Sequence, residues 1–116
     1  MRRLVEQMRK EPWSSVSLDP ISEEAIRALH VPNGHFRFSA GTYESGTDFR
    51  EIAREHTIYV LSGACSFTNA ATGESTNLCA QEFLQLSAGD YRFAATSSQP
   101  VRLIKVFLLP EDFRRE

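Results

Sequence analysis

No stretch of this 116-residue chain approaches the roughly 20 consecutive apolar residues that a membrane-crossing helix needs. Its N-terminus also lacks the apolar core of a secretory signal, so the expectation is a cytoplasmic protein. A basic surplus is missing too. Thirteen Lys and Arg stand against 15 Asp and Glu, a formal net charge of −2, which argues against a nucleic-acid or anionic-membrane partner. Arg2-Arg3 and Arg114-Arg115 at the two ends read as solvated termini. Only two cysteines occur, Cys65 and Cys79, and neither has a neighbouring Cys or His. Structural zinc wants four such ligands, so this is a poor zinc site. The two lie on the arms of a hairpin expected to turn near Thr72-Gly73, and in a reducing compartment they read as small buried hydrophobes. Gly-rich phosphate loops, nucleophile elbows and zinc-protease helices are absent; Gly41 to Gly46 is not followed by the helix that a phosphate loop requires. No internal repeat or low-complexity tract is evident.

What is present suits one small domain. The length allows a single core and leaves no room for a second. A hydrophobic content of 41% and a charged content of 24% are those of an ordinary globule. The first third differs in character from the rest, which divides the chain into a helical N-terminal extension over 1–34 and a β domain over 35–116. Leu4, Val5 and Met8 have helical spacing, giving one or two amphipathic turns of a loosely docked arm before Pro12 interrupts. Ser22 precedes Glu23-Glu24, whose charges suit a helix N-terminus; Ile26, Ala28 and Leu29 follow, and Val31-Pro32 stops the helix. Trp13, in the loop between, is expected to cover an end or flank of the β domain.

From about His35 the period becomes strand-like. Phe36, Phe38 and Ala40 alternate with Arg37 and Ser39, while 83–86 and 102–109 are rich in apolar strand formers. Glu44 to Asp48, Ala70 to Ser75, Ser87 to Asp90 and Thr96 to Pro100 are turn candidates at the intervals of a sandwich or barrel.

Within this region FREIAREHTIYVLSG, ending at Gly63, and QEFLQLSAGDYRFAAT, ending at Thr96, resemble the two signature motifs of the cupin superfamily. The resemblance covers roughly residues 35 to 110. It implies an all-β, double-stranded β-helix (jelly-roll) barrel. The first motif carries two histidines one residue apart, then a glutamate, six further residues and a glycine. Counting back from Gly63 places His56 at the glutamate, and the histidine positions fall on Arg50 and Ile52, or on Phe49 and Glu51 in the longer spacing. In the second motif Gln81 takes the first glycine, Ser87 the proline, Gly89 is retained, Arg92 takes the histidine and Thr96 the asparagine.

The resemblance implies that these motif side chains face the barrel interior. If the strands stay regular, Arg50, Ile52, His56, Ile58 and Val60 share one parity, and Arg92 joins them by its motif position. Guanidinium offers donors only and cannot ligate a cation, and one imidazole is too few. No metal and no other cofactor are therefore expected, even with Glu51 and Glu44 as potential oxygen donors. Arginine forks suit carboxylate or phosphate, so Arg50, His56 and Arg92 are the candidate residues for binding a small anionic metabolite. The bland reading pairs the arginines internally with Glu51, Glu55, Glu82 or Asp90. His30 and His35 lie outside the motifs. A small cupin enzyme (isomerase, epimerase, lyase or metal-dependent dioxygenase) is one alternative, with no catalytic residue identified. The other is a non-catalytic structural or regulatory homo-oligomer, which a filled barrel with paired arginines would favour. A homodimer is the expected assembly; Thr57, Tyr59 and Leu61 offer apolar surface for core or partner, and Trp13, Phe107 and Phe113 call for cover.

Overall fold

The helix expected after Ser22 forms over Glu23–His30 (α1) in the computed structural model, which describes residues 8–109. Leu4, Val5, the arginines of both ends and Phe113 lie outside the described residues. Ser22 Oγ accepts the Ala25 N–H at 3.0 Å, Glu23 and Glu24 put negative charge in the first turn, and Arg27 reaches back to Glu23 at 3.2 Å. A 3-10 turn over Val31–Asn33, carrying Pro32, ends the element.

Among the described residues nine strands follow the glycine and polar punctuation: β1 Lys10–Pro12, β2 Phe36–Tyr43, β3 Asp48–Ala53, β4 His56–Ser62, β5 Ala64–Asn69, β6 Ser75–Cys79, β7 Glu82–Leu86, β8 Gly89–Ala95 and β9 Val101–Leu108. They form a five-stranded sheet, β1-β7-β4-β9-β2, and a four-stranded sheet, β3-β8-β5-β6, with antiparallel pairing throughout the described ladders. The two sheets face each other as a jelly roll.

Of the N-terminal arm only the part from Met8 onward is described. Met8 enters the core between the sheets, and Lys10–Pro12 adds an edge strand to β7, with Lys10 opposite Leu84. An edge tolerates Pro12 because the missing N–H faces outward. The region before residue 35 thus supplies a strand as well as a helix.

Two apolar layers result. Ile58, Val60, Phe67, Leu84, Phe93 and Leu103 fill the space between the sheets. On the outer face of the five-stranded sheet, Trp13 and Ile26 pack on Tyr59, Phe83, Ile104 and Val106. Ile26 is fully buried, worth about 1.5–3 kcal/mol by apolar transfer. Trp13 meets Tyr59 edge-on at 5.7 Å while its Nε1–H donates to Asp19 O at 2.7 Å. Tyr59 is therefore core, covered by the N-terminal extension.

Two motif positions have telling backbones. Gly63, between β4 and β5, has φ +79°, and a Cβ there would lie 2.6 Å from Pro100 O. Gln81, at the position where the motif has a glycine, holds φ 72°, the left-handed conformation that glycine adopts freely.

Candidate functional site

Along β3 the even-numbered residues face solvent and Phe49, Glu51 and Ala53 face the opposite sheet. Arg50 is the Cα partner of Arg92 on β8, so the two arginines sit side by side on the outer surface of the four-stranded sheet. Their repulsion is relieved diagonally. Arg50 donates Nε–H and Nη2–H to the Asp90 carboxylate at 2.9 and 2.6 Å, and Arg92 Nε–H reaches Asp48 at 3.1 Å. The paired Arg50 holds the Asp90 carboxyl below its usual range, chiefly through the hydrogen bond.

The expected convergence of Arg50, His56 and Arg92 inside the barrel is thus corrected by the structure, which keeps only His56 inside. For Arg50 the cause is the corner at Arg54–Glu55, where the chain leaves one sheet for the other and strand regularity breaks; Arg92 points out because Tyr91, Phe93 and Ala95 take the inward face of β8. Alternation resumes in a new phase: Arg50 and Ile52 point out, whereas His56, Ile58 and Val60 point in.

His56 is 4% exposed and stacks on Phe107, with ring centroids 4.7 Å apart. Its Nδ1 lies 2.6 Å from Arg54 O. A carbonyl only accepts, so Nδ1 carries the proton and Nε2 keeps the lone pair of a neutral imidazole. That Nε2 is buried with no hydrogen-bond partner. Burial pushes the His56 pKa below its ordinary value; the Arg54 bond opposes this, Lys105 adds to it and Glu51 opposes it.

Lys105 and Glu51 are the interior charges. Lys105 Nζ lies 3.1 Å from Glu51 Oε2, with the two side chains 14% and 24% exposed. Ser39 is the cross-strand partner of Lys105 and Arg37 that of Phe107, so all four share the inward face. Arg37 places its guanidinium 5.1 Å from the Phe107 ring centroid. The sequence offered a signal for Lys105: it is the one charge in the apolar run Leu103 to Leu108, at inward parity. Glu51 appeared in the sequence only as a counter-ion or oxygen donor.

Outside the barrel, His30 shares a hydrogen bond with Tyr59, Nε2 to Oη 2.6 Å, and burial lowers the His30 pKa while raising that of Tyr59 to about 12. Cys65 pairs with Leu78 and Cys79 with Ala64, so the two thiols leave opposite faces of the hairpin, and both are free. Burial, with the Cys79 charge second, pushes the Cys65 thiol up to about 12.

The donor set does not fit the metal that the motif resemblance implies. One imidazole and one carboxylate face the interior, and the carboxylate is engaged by an ammonium that repels a cation. Among the described residues no three His, Cys, Asp or Glu side chains group as ligands would.

No protein-family model and no curated protein matches the chain. Solved structures do. The Cupin_2 domain of an XRE family transcriptional regulator from Enterobacter cloacae is similar with TM-score 0.57 and 17% identity, over 89% of this chain and 97% of that one. A DUF861 family protein from Thermotoga maritima gives 0.52 and 16%, over 89% and 100%. A conserved protein of unknown function from Streptococcus pyogenes gives 0.53 and 13%, over 91% and 77%. At such identities the likeness establishes the fold alone.

Proposed function

Taking the cupin fold of this chain as the premise, we propose that it is a metal-independent binding module that holds a small anionic metabolite, a carboxylate or phosphate, in its barrel beside His56. The observation that carries this reading is His56 Nε2, a buried acceptor without a partner beside the Glu51–Lys105 pair. A buried polar atom left unpaired costs about 1–3 kcal/mol, which a ligand hydroxyl or amide would recover. On the inward face beside His56, Lys105 and Arg37 outnumber Glu51, which favours an anion. The Enterobacter cloacae neighbour is a cupin domain of a transcriptional regulator, a context in keeping with binding rather than turnover.

The test is thermal-shift titration with inorganic phosphate, citrate and lactate, with metal analysis of the purified protein. A saturable rise in Tm that is lost in Lys105→Met and kept in Arg50→Ala and Arg92→Ala supports the reading. Stoichiometric transition metal, or a rise abolished by Arg50→Ala but not by Lys105→Met, sinks it.

A second reading is a non-catalytic structural or regulatory homo-oligomer. It is favoured by Tyr43, Phe49, Phe67 and Phe93, whose rings pack within 4.9–5.5 Å of one another between the sheets, and by the externally paired arginines. Concentration-independent monomeric mass in sedimentation would remove it. Two free cysteines suit a reducing compartment, and the cytoplasm is the proposed location.

A further inference from the structure

On the face of the five-stranded sheet away from the barrel interior, beyond the end of α1, lies a groove of about 280 Å³. Its floor is a ladder of outward residues: Thr57 stands opposite both Gln85 and Val106, and Phe36 opposite Leu108. His30, fixed by its bond to Tyr59, closes one side. Phe36, Val106 and Leu108 make an apolar wall, and Leu108 is 60% exposed. The opposite rim is the corner Arg54–Glu55, a cation and an anion in adjacent positions, neither of which joins a described ion pair.

That charge pattern is selective. A simple carboxylate is drawn to Arg54 and repelled by Glu55, and a simple amine meets the reverse. A zwitterion satisfies both at once, provided its two charges lie as close as the two rim residues do. The volume, just under the roughly 300 Å³ at which small-ligand sites begin, suits a small ligand. The apolar wall beside the rim requires a hydrophobic group attached near the charges. We propose that this groove binds a free α-amino acid with an apolar side chain. Arg54 takes the carboxylate, Glu55 takes the ammonium, and Phe36, Val106 and Leu108 receive the side chain. His56 lines this groove as well as the barrel interior; the proposal uses none of its atoms and stands without the barrel site.

The experiment is a two-dimensional amide NMR titration with L-leucine, compared with 4-methylpentanoate, which lacks the ammonium, and 3-methylbutylamine, which lacks the carboxylate. L-leucine is expected to give saturable shifts at Thr57, Val106 and Leu108. Because both rim charges are solvent-exposed, each analogue should bind about twofold to fivefold more weakly. Glu55→Gln should weaken L-leucine by the same factor without weakening 4-methylpentanoate, and Arg54→Gln should weaken L-leucine without weakening the amine. Both positions are exposed, so the variants keep the fold, and the Arg54 carbonyl that holds His56 is unaffected. Absence of saturable shifts with L-leucine, or equal affinity for all three probes, overturns the proposal. Shifts confined to Glu51 and Lys105 and unchanged in Arg54→Gln also overturn it, since they place the ligand inside the barrel.

Discussion

Lys105 Nζ and Glu51 Oε2, 3.1 Å apart, join β9 of one sheet to β3 of the other across the barrel. Both charges are largely withdrawn from water, so each depends on the other for solvation. Glu51→Gln or Lys105→Met alone should lower unfolding stability by about 1–3 kcal/mol, and the double variant by less than the sum. Urea denaturation of the four proteins gives the cycle; strict additivity would mean that the pair is already hydrated.

Gly63 allows no side chain. At φ +79° a Cβ would lie 2.6 Å from Pro100 O and 2.9 Å from Val101 Cα, both backbone atoms that cannot rotate away. Gly63→Ala should cost about 3 kcal/mol or more, or abolish soluble expression. A loss below about 1 kcal/mol in urea would show that the β4–β5 turn shifts freely.

Gln81 is strained in the opposite sense. Holding φ 72° costs a non-glycine residue about 1–3 kcal/mol, while glycine adds about 0.4–1 kcal/mol of unfolded-state entropy. Gln81→Gly should therefore stabilise the protein by about 0.5–1 kcal/mol, read as a higher urea midpoint at unchanged slope.

Burial lowers the pKa of both His56 and His30 from the ordinary 6.5. The unfolded imidazoles take up protons that the folded ones refuse, so stability is full above about pH 6.5 and is lost as pH falls from there toward the folded values. Urea midpoints at pH 7.5 and 5.5 should differ in this direction, with a smaller difference in His56→Phe, whose ring can keep the stack on Phe107. An identical pH response in that variant would assign the effect elsewhere.

Arg50 and Arg92 are 65% and 60% exposed, and their pairs with Asp90 and Asp48 are screened by water. Arg50→Ala and Arg92→Ala should leave the urea midpoint unchanged at 0.15 M salt. A clear drop for either would reveal a tertiary role that the geometry does not give them.

Much of the fold was legible because it rests on local chemistry. Ser22 with Glu23-Glu24 capped a helix as written, the glycine and polar clusters marked the chain reversals, and Gly63 and Gln81, aligned with glycines of the motifs, both hold positive φ in the structure. The edge strand Lys10–Pro12 was not legible, because three residues with no apolar alternation of their own pair only through the ladder that β7 offers. Of the three candidate residues only His56 has the interior placement that was read from the sequence. His56 was placed inside from its distance to Gly63, but the same counting carried Arg50 inward as well, and Lys105 stood unremarked in its strand.

The sequence by itself determined the alternation of each strand, the cap of α1, the closing glycine and the shortage of metal-donating side chains, because these depend on residue identity and near neighbours. Only the tertiary structure decided which face each alternation presents. A two-residue corner at Arg54–Glu55 sets the phase between β3 and β4, and one residue of phase is the difference between Arg50 in the barrel and Arg50 in solvent. The meeting of Glu51 with Lys105, 54 positions apart, likewise exists only once the two sheets close on each other.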